Sequence, residues 1–248
     1  MGRQQRRLPC VLERPPLLDG CHRMPRRWCV HRAFQPSDAG VIVKREVAGE
    51  FLGTALMVAV GCGSVAWGAS HGLVSLTFGA VVTLAILLFG PLSGAHINPA
   101  VSVAFWRDGQ LEGRLLPAYM AAQYLGALTG ASLVAGAAPT NVIPSLSLVS
   151  GFSIEIAISC GLMVSILYIV QRTDSRPVVA VWVGATVALL ALLAGPLTGA
   201  SMNPARTFGP NALNAMWASL PFYVVSTTLG AWLAVDVKRR LFPDIVKP

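Results

Sequence analysis

The chain has 248 residues, of which 54% are hydrophobic and only 12% are charged, and it contains 24 glycines. This composition is typical of a membrane protein and excludes an ordinary soluble domain. The formal net charge is +8, but the long apolar body argues against nucleic-acid binding as its purpose. The five cysteines follow neither a metal-ligand spacing nor a disulfide framework. We therefore predict no metal site and no cofactor.

Residues 1–40 form a basic segment that is rich in arginine and proline and has no apolar periodicity. They contain eight arginines and three acidic residues, and so carry +5 of the net charge. This pattern predicts a disordered, cytoplasmic tail. The segment lacks the apolar core of a secretory signal peptide. We expect a membrane domain at 41–240 and a short C-terminal tail at 241–248.

Two apolar runs of spanning length follow the tail, at residues 46–67 and 73–89. Several glycines in the first run are small enough to allow close helix contact. His71 falls in the turn between the two runs. There we expect it to lie outside the membrane and to be solvated only.

The sequence GPLSGAHINPA, at residues 90–100, follows the second run. Asn98 is a strong N-cap residue, and Pro99 suits the first position of a helix. The apolar run that continues through Ala100 ends at Arg107, after about two helical turns, whereas a bilayer needs about 20 apolar residues. The pattern predicts a Gly-Pro bend and then a half-helix that enters the membrane without crossing it.

The remaining elements complete a second series of the same kind. Further spans are predicted at residues 115–135, 152–170, 177–194 and 219–237, with a second half-helix that ends near residue 213. A loop rich in Pro, Asn and Ser at 137–150 separates the two series.

The second half-helix repeats the first. The sequence GPLTGASMNPA lies 105 positions after its first copy and ends in Asn203, Pro204 and Ala205. Glu50 and Glu155 are also 105 positions apart. A fixed offset of this kind indicates an internal repeat, with repeat one at 46–136 and repeat two at 151–240.

Each repeat has three spans, an odd number, so the second repeat must be inverted and the two Asn-Pro-Ala tips must meet at mid-membrane. We predict an all-α membrane protein with six transmembrane helices and two re-entrant half-helices. The Lys and Arg residues between the two tails, apart from Arg206, fall on one side of this arrangement, the basic side: Lys44, Arg45, Arg107, Arg114, Arg172, Arg176, Lys238, Arg239 and Arg240. That side is expected to be cytoplasmic, with both termini on it.

Glu50 and Glu155 are isolated acids near the ends of symmetry-related spans. Ionisable groups at membrane depth are costly, so each needs a structural or functional reason. The favoured interpretation is that each accepts backbone N–H bonds from the bend before its half-helix. The alternative is that they bind substrate as free carboxylates.

The doubled motif, with Arg206 directly after the second copy, resembles the aquaporin (major intrinsic protein) family from about residue 45 to about residue 240. The resemblance implies a passive channel in the plasma membrane, assembled as a homotetramer with one pore in each subunit. Asn98 and Asn203 would present N–H groups to a single file of molecules. The positive ends of the half-helices would repel cations and protons, as described for aquaporin pores in general.

The resemblance also places an outer constriction, the selectivity filter, on Phe78, Ala191, Ala200 and Arg206. Strict water channels of the family usually carry His at the place of Ala191, so this ring is expected to be wider. Glycerol channels usually carry Asp at the place of Thr207, so that position favours water. We expect a channel for water and small neutral solutes. A channel mainly for glycerol, or for uncharged metalloid acids such as boric or arsenous acid, remains the alternative.

The same residues also bear on two other classes of function, transport and catalysis. Inverted repeats with broken helices also occur in secondary transporters, which is the alternative from a different class. The sequence has no Ser/His/Asp grouping and no phosphate-binding loop at usable spacing, so we do not predict an enzyme. His96 is either a pH gate or polar group of the pore, or a structural histidine near the cytoplasmic vestibule. Gln123 is expected to make an interhelical hydrogen bond.

Overall fold

The computed structural model describes residues 39–134 and 136–243, apart from the side chains of residues 39–42. Within these ranges the chain forms eight α-helices and one short 3₁₀ turn, and the all-α prediction is confirmed. The helices are α1 Ala39–Ala66, α2 His71–Ser93, α3 Pro99–Arg107, α4 Leu116–Ser132, α5 Leu148–Arg172, α6 Arg176–Thr198, α7 Pro204–Leu213 and α8 Leu220–Leu241.

Six of the helices described are spans and two are half-helices. Helices α1, α2, α5, α6 and α8 are long and apolar enough to cross a membrane. Helix α4 has 17 residues, at the lower end of the range of about 17–25 that crosses a bilayer. Helices α3 and α7 have 9 and 10 residues and are therefore about 14–15 Å long. The predicted fold class is confirmed.

The predicted spans end within four residues of the observed helices, except at the start of α1. That helix begins at Ala39, seven residues before the predicted start and inside the range expected to be a tail. Backbone hydrogen bonding does not require apolar side chains, so a helix continues past the apolar run from which its bounds were predicted. The rest of the predicted N-terminal tail and residues 244–248 lie outside the described residues.

The two predicted Gly-Pro bends are wrong in position. Pro91 and Pro196 lie inside α2 and α6. The chain turns three residues later, at Gly94 and Gly199, whose φ angles are 85° and 74°. Proline lacks an N–H donor, but its φ is compatible with a helix. Ending the helix needs a left-handed residue, and glycine adopts that conformation at little cost.

Helices α2 and α6 cross at a pair of glycines that are 105 positions apart. A Cβ atom on Gly79 would lie 2.5 Å from the carbonyl oxygen of Gly184, and one on Gly184 would lie 2.4 Å from the oxygen of Gly79. Because the contact is reciprocal, the pseudo-two-fold axis that relates the repeats passes through this crossing. The two helices can approach this closely only because neither glycine has a side chain.

Within each repeat the first span packs against the last, and again the contact depends on glycine. A Cβ on Gly126 of α4 would lie 2.3 Å from the oxygen of Phe51 in α1, and one on Gly230 of α8 would lie 2.4 Å from the oxygen of Ile156 in α5. Each half-helix packs against the last span of the other repeat, α3 on α8 and α7 on α4. This crosswise packing brings the two half-helix tips together.

We expect Gly126→Ala to destabilise the protein by about 1–3 kcal/mol, because the new methyl group forces α1 and α4 apart. Gly161→Ala is the matched control, since nothing lies within 4 Å of a Cβ at that position of α5. The control should be neutral or stabilising by about 0.5–1 kcal/mol. Thermal unfolding in detergent, followed by circular dichroism, compares the two variants, and equal transitions would refute the close contact.

Candidate functional site

A cavity of about 380 Å³ runs through the bundle. Ala69, beside the start of α2, lines one end, and Val170 and Val179, where α5 ends and α6 begins, line the other. The second end lies on the basic side. On α6 the lining residues recur at every fourth position: Val179, Val183, Val187, Ala191 and Gly195. One face of α6 therefore forms a continuous part of the cavity wall.

Asn98 caps α3 and also contacts the opposite half-helix tip. Its Oδ1 accepts a hydrogen bond from the N–H of Ala100 at 2.9 Å, and its Nδ2 donates to the carbonyl oxygen of Met202 at 2.8 Å. Pro99 occupies the first helical position, where a missing N–H leaves no bond unmade. Asn98 therefore joins the two tips and caps its own helix with a single amide.

Asn203 makes the symmetry-related contacts. Its Oδ1 accepts from the N–H groups of Ala205 and Arg206, at 2.9 and 3.3 Å, and its Nδ2 donates to the oxygen of Ile97 at 2.8 Å. Pro204 again takes the first helical position. Each amide nitrogen has two N–H donors, and the bond across the tips uses one. Both asparagines line the cavity. The second donor of Asn98 is available to a molecule there, whereas that of Asn203 points to the sulfur of Met57 at 3.8 Å, a weak acceptor that a polar molecule can replace.

Glu50 accepts three hydrogen bonds around the first half-helix. Its Oε1 accepts from the N–H of His96 at 2.9 Å, and its Oε2 accepts from the N–H of Ile97 at 2.7 Å. Gln123 of α4 donates to Oε2 at 2.7 Å and to Ser102 at 2.9 Å. The interhelical hydrogen bond predicted for Gln123 is confirmed.

Glu155 does the same for the second half-helix. Its Oε1 accepts from the N–H of Ser201 at 2.9 Å and from the hydroxyl of Thr198 at 2.7 Å, and its Oε2 accepts from the N–H of Met202 at 3.1 Å. Both acids are fully buried, and neither is among the described residues that line the cavity. These contacts favour the backbone-accepting interpretation over that of substrate carboxylates.

The loops before the half-helices have an unusual backbone conformation. Ala95, Ile97, Ala200 and Met202 have φ angles between 43° and 52°, in the left-handed region that disfavours residues with a Cβ. Alternation between this region and the ordinary one turns successive N–H groups to one side of the chain. The buried carboxylates accept the bonds there, which offsets the conformational strain.

The four residues that the family resemblance assigns to the selectivity filter line the same cavity. The guanidinium of Arg206 lies 4.9 Å from the centre of the Phe78 ring and donates to the hydroxyl of Thr140. Ala191 and Ala200 are buried beside them. Among the described lining residues, Arg206 is the only Lys, Arg, Asp or Glu.

His71 and Thr140 line the cavity, although the sequence predictions did not place them there. His71 is exposed, as predicted, but it is not solvated only. It is the first residue of α2, its Nε2 lies 2.9 Å from the oxygen of Leu192, and its ring lines the cavity. It precedes Phe78 by seven residues, about two helical turns, and this spacing is the signal that indicates a shared face. Thr140 lies in a loop, and no sequence pattern singles it out.

His96 both lines the cavity and makes structural contacts. Its Nδ1 lies 3.1 Å from the hydroxyl of Ser102, and its ring stacks on Phe105 with the centroids 4.6 Å apart. Within residues 39–134 and 136–243, no group of three His, Cys, Asp or Glu side chains could hold a metal ion.

The sequence matches the family model described as Major intrinsic protein over residues 39–237. The chain belongs to the major intrinsic protein family. It is 34% identical to Aquaporin-4 of Mus musculus, covering 89% of this chain and 77% of that protein. It is 36% identical to a Glycerol uptake facilitator protein of Pseudomonas aeruginosa, covering 70% of this chain and 76% of that protein.

A solved structure supports the same conclusion. The aquaglyceroporin from Plasmodium falciparum matches with a TM-score of 0.76 and 27% identity, over 82% of this chain and 98% of that one. This major intrinsic protein is therefore an integral, multi-pass membrane protein. It is a passive channel for water or small solutes and not an enzyme.

We expect Glu50→Gln to destabilise this channel by about 1–3 kcal/mol, because its amide N–H₂ would face buried donors in place of an acceptor. Glu112→Gln is the matched control: the Glu112 side chain is 40% exposed and pairs with Arg114 at the surface, so its loss should cost about 0–1 kcal/mol. Thermal unfolding in detergent measures both, and osmotic permeability should fall in the first variant alone. Equal behaviour of the two variants would contradict a supporting role for Glu50.

Proposed function

We propose that this major intrinsic protein is a passive channel for water and small neutral solutes that excludes ions and protons. One observation carries the proposal. A single cavity that reaches both ends of the bundle is lined by Asn98 and Asn203 at the half-helix tips and by a filter that contains two alanines beside Phe78 and Arg206.

The proposed selection for neutral molecules rests on charge. Helices α3 and α7 begin at the tips, so their positive ends converge on the cavity. The second amide donors of Asn98 and Asn203 suit the oxygen of water or of a hydroxyl group, which is a stronger acceptor than the Met57 sulfur now beside Asn203. A cation in the cavity is repelled by these positive ends and by the Arg206 guanidinium. The described lining residues include no carboxylate that could offset this repulsion.

The size of the proposed solute rests on Ala191 and Ala200. A histidine at position 191, as in strict water channels of the family, would fill space that a methyl group leaves open. A channel mainly for glycerol or for uncharged metalloid acids such as boric or arsenous acid is the second candidate, favoured by the same two alanines. Identity to the relatives does not decide, because the chain is 34% identical to the aquaporin and 36% identical to the glycerol facilitator.

We also propose a homotetramer in the plasma membrane, with residues 41–240 as the channel domain and both termini in the cytoplasm. The basic side supports the orientation. Exposed apolar side chains on α2 and α6, including Leu76 and Leu193, suit contact with lipid or with neighbouring subunits. Particle mass in a defined detergent tests the tetramer, and protease access to the N terminus in sealed cells tests the orientation.

Stopped-flow light scattering on proteoliposomes tests the function, with one osmotic jump in an impermeant sugar and one in glycerol. We expect fast shrinkage in the sugar and re-swelling in glycerol. Ala191→His should lower glycerol flux relative to water flux by about tenfold, since one extra group in a fitted pocket has an effect of that order.

The two jumps separate the outcomes. If the parent protein gives fast shrinkage but no re-swelling in glycerol, it is a water channel and its filter is not wide enough for glycerol. If Ala191→His changes neither flux, residue 191 does not belong to the constriction. Empty liposomes and the variant Leu193→His, which is on the exposed face of α6, are the controls.

We expect Arg206→Ala to admit a polyol larger than glycerol and to leak cations, because it removes both a bulky group and the fixed charge. Arg206→Lys is the comparison: it keeps the charge but loses the planar contact with Phe78 and the fork of donors. It should retain cation exclusion. Re-swelling rates in a series of polyols measure the size limit, and a potential-driven flux assay measures the cation leak. Unchanged selectivity in Arg206→Ala would show that this residue is not part of the filter.

A further inference from the structure

His71 is the outermost α2 residue of the cavity wall, with Ser75, Phe78, Val82 and Ile86 following on the same face. Its Nε2 lies 2.9 Å from the carbonyl oxygen of Leu192 at the far end of α6. A carbonyl oxygen can only accept, so Nε2 carries the hydrogen. In the neutral ring Nδ1 is then a hydrogen-bond acceptor.

The ring has room because α6 has a glycine opposite it. A Cβ on Gly195 would lie 2.6 Å from Cε1 and 3.3 Å from Nδ1 of His71. Gly195 comes four residues after Ala191 on the lining face of α6, which is about one helical turn farther from the basic side. The imidazole of α2 therefore covers α6 next to the open filter position.

An acceptor at this place has a chemical use. The amide groups of Asn98 and Asn203 and the guanidinium of Arg206 offer donors to the cavity, whereas a hydroxylated solute also brings donors of its own. His71 is exposed at the mouth of the cavity, where a solute gives up water before it enters a largely apolar passage. Losing water from an O–H group is costly unless the group finds an acceptor. The hydrogen bonds among the described residues leave Nδ1 of His71 available for that purpose.

We propose that His71 is a specificity-determining residue of this channel: its Nδ1 accepts a hydrogen bond from the O–H of polyols and similar hydroxylated solutes as they approach the Ala191 position. The inference rests on the proposed function and deepens it. Water depends less on this acceptor, because each water molecule in a file is also hydrogen-bonded to its neighbours.

Two substitutions separate the ring nitrogen from the ring volume. His71→Phe keeps a ring but removes both nitrogens. His71→Gln can donate its amide N–H to Leu192 and offer its amide oxygen in place of Nδ1. We expect His71→Phe to lower the ratio of glycerol flux to water flux by about 3- to 10-fold, which corresponds to the loss of one hydrogen bond. We expect His71→Gln to keep this ratio within about twofold of that of the parent protein.

A third substitution moves the ring without removing it. Gly195→Ala places a methyl group where His71 now lies, so it should lower the same flux ratio in the parent protein. In the His71→Phe background the acceptor is already absent, and the effects of the two changes should not add. Gel filtration and thermal unfolding confirm that each variant is folded, and if the Phe variant is not, the comparison of Gly195→Ala with the parent decides.

The outcomes distinguish this inference from the function on which it rests. A parent protein that passes neither water nor glycerol overturns both. One that passes water alone overturns the role of His71 and leaves a water channel. If the Phe variant retains the parent ratio, the ring only fills space, and if it raises the ratio, the ring nitrogens hinder the solute; either result refutes the proposed acceptor.

Discussion

The structure depends on how backbone N–H groups are satisfied where the chain is not helical at membrane depth. The hydrocarbon interior offers no water, so non-helical backbone survives there only when protein groups or a water-filled cavity bond it. Glu50 and Glu155 supply these acceptors on the side away from the cavity. Without them the left-handed residues before each half-helix would combine an unfavourable conformation with unmet donors.

That constraint links the acids to the position of the asparagines. Because each loop is held from behind by a carboxylate, the following asparagine is free to cap its own half-helix and to donate across to the other loop. The donors that face the cavity are thus held by bonds in both repeats. The glycine crossing of α2 and α6 keeps the two repeats close enough for these short bonds to form. The groups that face the cavity are thus fixed before any molecule enters it.

The sequence predicts the parts of this arrangement that follow local rules. Asparagine before proline predicts the caps, the offset of 105 predicts the second half-helix, and the isolated acids Glu50 and Glu155 point to the loops. Local rules fail where the outcome depends on packing between helices. Pro91 suggests a bend, but α2 continues to Gly94, and His71 can lie against α6 only because Gly195 leaves room for its ring.

Because His71 contacts Gly195, the width of the passage cannot be inferred from any single filter position. Ala191 considered alone indicates an open ring, because it lacks the histidine of strict water channels in the family. The structure places an imidazole beside that opening from α2, one helical turn away along α6. The passage is shaped by volume and hydrogen-bonding groups from both helices. A substitution on α6 changes the space and the chemistry that α2 can offer, so a test of the proposed filter has to include both helix faces.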